Sequence, residues 1–205
     1  MIVALEGGIC SGKTTLAKEF ERQGFYLIPE YMDIIYPYEE DRINDLASSN
    51  QSAIHVFLEI EKRRKEMYLE NYNGKNTILD RSYLTLFAYE YAIGRNISNM
   101  EFPNLHQNVV TPNLIVFLDV NDDLRIKRSY DRSDEDMPEI FLNHNFNKRL
   151  KQFFLKQNQV PCVFLNTENL DPLKMVNLMQ SIQLKNTHQS QQWLLNKFYD
   201  LHLSK

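Results

Sequence analysis

The chain is poor in residues that would build it around crosslinks, metals or membranes. It has two cysteines among 205 residues. Cys10 and Cys162 lie far apart and lack the short spacing of metal ligands, which argues against a disulfide framework or a zinc site and fits a reducing cytoplasm. Long apolar runs are missing too: the apolar start, up to Leu5, is only about five residues, where a membrane-spanning helix needs about 20, and it is too short for a signal peptide. Nor is there an excess of positive charge. Lys and Arg number 23 against 27 Asp and Glu, a net charge of −4, and no basic run stands alone, so a nucleic-acid groove is disfavoured and a small phosphorylated ligand is easier to accept. Internal repeats and low-complexity linkers are absent. With 43% hydrophobic residues, the chain reads as one soluble, cytoplasmic domain over 1–205.

What is present is alternation. Short apolar runs at 2–5, 25–28, 77–79, 114–118 and 160–165 read as strands. The stretches 13–22, 50–72, 83–94, 138–158 and 170–184 between and after them read as helices, which predicts an α/β fold with a five-stranded parallel sheet flanked by helices. The tail at 187–203 spaces Trp193, Leu194, Lys197, Phe198 and Leu201 as a terminal helix packed on the sheet. In such a sheet ligands bind beyond the carboxyl ends of the strands. The residues there are Gly7, Glu30, Asp80 with Arg81, Asp119 and Asn166.

The run Gly7-Gly8-Ile9-Cys10-Ser11-Gly12-Lys13-Thr14 is a complete G-x-x-x-x-G-K-[ST] loop between the first strand and a helix carrying Leu16 and Phe20 on one face, the context such a motif requires. Its glycines let several backbone N–H groups converge on phosphate oxygens, and the helix N-terminus adds partial positive charge. Lys13 is placed to neutralise the β- and γ-phosphates of ATP, and the Thr14 hydroxyl to take one position on Mg²⁺; Thr15 closes the motif. This is the loop of a P-loop NTPase fold. Cys10, at a helix mouth, is read as a small loop filler or as a thiol of lowered pKa. For the metal's carboxylate, Asp80 is preferred to Asp119, because Arg81 follows it and can clamp a phosphate while the acid holds the cation; Asp119 is then a turn or cap residue.

From Asp80 to Glu90 the chain resembles the D-R-[FY]-x-x-S-x-x-A-Y-Q segment of thymidylate kinases, and Glu6 to Thr15 resembles their E-G-x-x-G-x-G-K-T-T. Asp80-Arg81-Ser82 also resembles the Glu-Arg-Ser of deoxynucleoside kinases. The resemblance implies that Arg81 contacts the acceptor phosphate or the transferred group and that Tyr89 lies against the sugar; Tyr89 is equally a helix-face core residue by its spacing. Thr85 for Ser, Glu90 for Gln and Ser82 for an aromatic are departures. Both families are commonly homodimers.

Arg125, Arg128 and Arg132 share one face if their segment is helical. They resemble the lid of these kinases, here about 120–137, which closes over ATP and supplies arginines to the γ-phosphoryl group. A solvated helix with Asp131, Asp134, Glu135 and Asp136 balancing the bases is the alternative. By the same resemblance Glu135 accepts a hydrogen bond from a sugar hydroxyl.

Glu30 decides the acceptor. A nucleoside hydroxyl needs a carboxylate to take its proton, and deoxynucleoside kinases place a glutamate here. A monophosphate acceptor needs extra arginines instead. Thymidylate kinases carry a base- or phosphate-contacting arginine on the next helix, where Phe57 is followed by Lys62, Arg63 and Arg64. The sequence therefore predicts transfer of the γ-phosphoryl group of ATP, with Mg²⁺, to a nucleoside or its monophosphate. The alternative is a nucleotide-gated switch, although the Asn-Lys-x-Asp and Asp-x-x-Gly motifs of a GTPase are missing.

Overall fold

The apolar runs form a sheet that is parallel throughout. The computed structural model describes residues 1–71, 74–96, 105–131, 139–168 and 171–183. Its strands are β1 (Ile2–Gly7), β2 (Tyr26–Ile28), β3 (Thr77–Asp80), β4 (Leu114–Asp119) and β5 (Cys162–Asn166), in the spatial order β2-β3-β1-β4-β5. Every pairing is parallel; Leu5 sits beside Asp80, and Gly7 beside Leu118. The helices are α1 (Lys13–Arg22), α2 (Pro37–Ser48), α3 (Ile54–Asn71), α4 (Leu84–Ile93), α5 (Leu105–Asn108), α6 (Asp122–Asp131), α7 (His144–Lys156) and α8 (Pro172–Gln183), with short 3-10 helices at Tyr31–Asp33 and Glu139–Leu142.

Successive strand side chains alternate between faces, and both faces are covered, as a parallel sheet requires. Val3, Leu5, Ile78, Leu114, Val116 and Leu118 pack with Leu16, Ala17 and Phe20 of α1 and with Met175 and Val176 of α8. Ala4, Leu79, Ile115 and Phe117 pack with α3, α4 and α7, through Ile60, Leu84, Ala88, Phe146, Leu150 and Phe154. Phe20 is wholly buried and meets Phe25 edge-on at 4.9 Å between ring centres, a burial that stabilises the α1 docking by about 1.5–3 kcal/mol. The end of β1 thus lies mid-sheet, with the ends of β3 and β4 on either side.

Several boundaries differ from the sequence reading. α2 was not expected; it starts on Pro37, and the Glu39 side chain accepts the Tyr36 backbone N–H at 2.9 Å, a capping arrangement. The helix expected over 50–72 begins only at Ile54, since Asn50 takes a left-handed φ of 54°. The one expected over 138–158 is broken before α7, where the Asn143 side chain accepts the N–H groups of Asn145 and Phe146 at 2.8 and 3.2 Å as an N-cap. The expected terminal helix at 187–203 lies outside the described residues.

Candidate functional site

The loop after β1 is shaped by backbone that side chains rarely tolerate. Gly7 has φ 138°, and a Cβ there would fall 2.5 Å from the Leu118 carbonyl oxygen, so only glycine lets the loop leave β1 beside β4. Cys10 adopts φ 59°, left-handed without being glycine, a conformation that costs about 1–2 kcal/mol. Ile9, Ser11 and Thr15 also line the cavity over this loop, whose volume is about 470 Å³, within the range of small-molecule sites. Its walls include Glu30, Arg81, Arg128 and Thr167 as well, so the proposed acceptor-side residues and the phosphate loop face one space.

Lys13 is buried and donates to the Gly8 carbonyl at 2.8 Å and to Ser11 Oγ at 3.4 Å. Burial first, then the Arg81 charge, lowers its pKa to about 8 against the pull of Glu30, Asp80 and Glu6. Thr14 Oγ1 donates to Asp80 Oδ2 at 3.0 Å, while Asp80 Oδ1 is buried without a hydrogen-bond partner. Burial raises the Asp80 pKa, with Lys13 opposing. A hydroxyl beside a carboxylate with an orphaned oxygen fits Mg²⁺, a hard cation completed by water and phosphate oxygens. Among the described residues no cluster of three or more His, Cys, Asp or Glu offers an all-protein metal site.

Arg81, also left-handed at φ 67°, is buried. Its Nε donates to Glu30 Oε1, its Nη1 reaches the Gly7 carbonyl at 3.3 Å, and its guanidinium lies 5.5 Å from the centre of the Tyr89 ring. Burial alone would raise the Glu30 pKa, but Arg81 and Lys13 outweigh it and hold the carboxyl below its ordinary value. Glu30 is therefore ionised at neutral pH and accepts hydrogen bonds. Tyr89 packs against Phe141 and Phe146, both at 5.5 Å, and burial pushes its hydroxyl up to about 12.

Glu6 has a role that its place in the motif does not announce. Its buried carboxylate accepts from the Ser82 N–H and Oγ at 2.7 and 2.6 Å and from Thr85 Oγ1, fastening the end of β1 to the start of α4. Two of the departures from the thymidylate kinase segment, Ser82 and Thr85, are its partners. Their three-residue spacing, which puts Ser82 just ahead of α4 and Thr85 in its first turn, was the available signal.

The arginines diverge. Arg128 reaches the Cys10 carbonyl at 3.4 Å. Arg125 does not line the cavity over the loop: it is buried, with its guanidinium on Asp122 and on the carbonyls of Phe141 and Leu142, because the acid one turn earlier captures it. Arg132 and Glu135 lie outside the described residues, as does the lid beyond Asp131. Arg64 is 1% exposed and donates to Glu61 at 2.5 Å and to the Asp80 and Arg81 carbonyls at 3.0 and 2.7 Å. It buttresses the end of β3 rather than facing a substrate. Arg63 donates twice to Glu39 at 2.6 Å. Phe57 is half-buried, edge-on to Tyr31 at 5.5 Å. Asp119 pairs with Lys151, away from Thr14. Both cysteines are free, and burial raises the Cys162 thiol to about 12.

A phosphate loop on the central strand of this parallel sheet, with Asp-Arg closing the neighbouring strand, defines the P-loop NTPase fold. A family profile described as an AAA domain matches residues 2–171, and the chain belongs to that family. No curated protein matches it. Among solved structures, the deoxyadenosine kinase of M. mycoides with the products dCMP and a flexible dCDP is similar at TM-score 0.65 and 19% identity, covering 91% of this chain and 100% of that one. The same enzyme with dCTP gives TM-score 0.64 at 19% identity, and with dATP 0.62 at 20%, with the same coverage. At these identities the likeness is one of fold. No helix among the described residues is long and apolar enough to cross a membrane.

Proposed function

We propose that the chain is an ATP-dependent kinase that transfers the γ-phosphoryl group to a hydroxyl of a deoxynucleoside. The observation that carries this is that ionised Glu30, held by Arg81, shares one cavity with Lys13 and the phosphate loop. The arginines a monophosphate would need are committed elsewhere: Arg63 to Glu39, Arg64 to Glu61 and two carbonyls. A thymidylate-kinase-like acceptor would bring its phosphate to Arg81, already paired with Glu30. A nucleotide switch has no use for that pair. The deoxyadenosine kinase structures hold dCMP, dCTP and dATP, which puts deoxyadenosine and deoxycytidine first among acceptors.

The loop amides and Lys13 hold the triphosphate, and Arg128 approaches from α6. Thr14 and Asp80 would hold Mg²⁺, which when bound neutralises charge on the β- and γ-phosphate oxygens. Glu30 orients the acceptor hydroxyl in line. The hydroxyl oxygen bonds to the γ-phosphorus, the bond from that phosphorus to the bridging oxygen breaks, the bridging oxygen leaves on ADP, and the hydroxyl proton passes to Glu30. Because the pKa of Glu30 is lowered, it takes the proton late, which suits a loose transition state needing positioning more than a strong base. Arg81 offsets charge on the transferred group. Arg132, Glu135, Phe57 and Tyr89 complete the proposed set, as lid arginine, sugar-hydroxyl acceptor and walls for base and sugar.

The test is ADP release by the purified chain with ATP, Mg²⁺ and each deoxynucleoside or monophosphate. Turnover of a deoxynucleoside at roughly 1–100 s⁻¹ is expected. Turnover of monophosphates alone would replace the acceptor, and none above ATP hydrolysis would defeat the assignment.

A further inference from the structure

We infer that Asn147 is a positioning residue for the phosphate loop, holding the Gly8 peptide from the side opposite Lys13; the inference rests on the phosphotransfer reading above. Gly8 lies close to two side chains. Its carbonyl accepts from Lys13 Nζ at 2.8 Å. On its other flank, a Cβ on Gly8 would fall 2.6 Å from Asn147 Oδ1 and 3.4 Å from Arg125 Cδ. No larger residue fits at this position while Asn147 stands.

The orientation of the Asn147 amide is fixed. Its Nδ2 donates to the carbonyls of Phe141 at 2.9 Å and Asn143 at 2.8 Å, so Oδ1 is the atom that faces Gly8. That oxygen is buried and has no hydrogen-bond partner, a state shared by buried side-chain atoms of the described residues only with Arg64 Nε and Asp80 Oδ1. Native proteins satisfy nearly all buried polar atoms, and an exception calls for a cause. The Phe141 carbonyl also accepts from Arg125 Nη1 at 2.8 Å, and that of Leu142 from Arg125 Nη2 at 3.0 Å. Asn147 therefore joins the phosphate loop to α6, the helix that carries Arg128.

A bound triphosphate draws Lys13 from the Gly8 carbonyl to its own oxygens, and the Gly8 peptide loses one of its two restraints. Asn147 supplies the other. Its unused oxygen is placed to accept a loop N–H as the loop settles around the phosphates. The benefit falls on ATP and not on the acceptor.

Asn147→Ala tests this. In the empty protein the deletion removes the orphaned oxygen along with the two donors, and the carbonyls left behind keep other bonds, Phe141 from Arg125 and Asn143 from the backbone N–H of residue 147 at 3.2 Å. The melting temperature without nucleotide should stay within a few degrees of the wild type. KM for ATP should rise about tenfold, the worth of one hydrogen bond. KM for the acceptor should hold within twofold, and the ATP-induced rise in melting temperature should shrink. Gly8→Ala should abolish ATP-dependent stabilisation in the wild-type background and partly recover it in the Asn147→Ala background, where its methyl group has room. Should the alanine variant not fold, Asn147→Ser carries the same expectations. An unchanged KM for ATP with a lowered melting temperature, or additive effects in the double variant, would mark Asn147 as merely structural and overturn the inference. A wild-type chain that ATP does not stabilise would overturn the phosphotransfer reading, and this inference with it.

Discussion

Raising the pH should move nucleotide affinity and native stability in opposite directions through Lys13. Burial and the neighbouring Arg81 lower its pKa from 10.5 to about 8. At about 1.4 kcal/mol per pH unit, these surroundings disfavour the charged form by about 3 kcal/mol. Between about pH 8 and 10.5 the unfolded chain binds a proton at this position that the native state lacks, so the contribution of Lys13 to native stability rises with pH across that window. The phosphates need the ammonium, so binding there must take up a proton and weaken. The apparent Kd grows as one plus ten to the power of pH minus 8, which is about 25-fold from about pH 7.5 to about pH 9.5. Titration calorimetry with ATP in EDTA, where no metal contributes, measures this directly. Repeating it in buffers of different ionisation enthalpy counts the proton, close to one near pH 9, and Lys13→Met should show neither effect. A wild-type Kd constant within threefold over that range, or no proton uptake, would refute the reasoning.

The sheet was legible because each of its strands is a short apolar run, four of them closed by Gly7, Asp80, Asp119 or Asn166 and the short β2 by Ile28 before Pro29, and the loop because its glycines and Lys13 carry their chemistry in their spacing. α2 was not, for a physical reason: Glu39 is its buried residue, so no apolar stripe marks it and only the Pro37 start and the Glu39 cap announce it. The arginines show where reading by residue type stops. Arg64 and Arg125 each have an acid three positions earlier, Glu61 and Asp122, and both are held by it. Arg81 has no such local acid and pairs with Glu30 across 51 positions. An acid one helical turn before an arginine was thus a readable sign of a structural role, passed over in favour of the shared helix face. Glu6 was in view inside the motif, but its burial under Ser82 and Thr85 depends on β1 and β3 being neighbours, which no local pattern states. Asn147 left no trace at all, since its contact with Gly8 exists only once α7 lies over the loop.

Cys10 holds a left-handed φ of 59°, so Cys10→Gly should leave urea stability within about 1 kcal/mol, relief of strain offsetting the added chain entropy. Cys10→Val, branched at Cβ, should lose about 1–3 kcal/mol; equal midpoints for the two variants would show that the loop is unstrained. Burial raises the Glu6 pKa despite its hydrogen bonds from Ser82 and Thr85, so the native state binds this proton more readily than the unfolded chain, and stability from this group falls as pH rises from 4.5 through the raised value. Glu6→Gln should remove that fall, and urea midpoints of wild type and variant that run parallel from about pH 4 to about pH 7 would contradict it. Glu30→Gln keeps the shape and one acceptor for Arg81 but removes the charge proposed to orient and finally deprotonate the acceptor. With the pKa of Glu30 already lowered by Arg81, its contribution belongs at the low end of general-base effects, so kcat on a deoxynucleoside should fall about 100-fold while KM for ATP holds within threefold. Because Glu30 stays ionised down to below its ordinary 4.5, no fall in wild-type kcat assignable to this group should appear between about pH 6 and about pH 8. A variant that retains kcat within threefold would take Glu30 out of the chemistry and reopen the monophosphate acceptor.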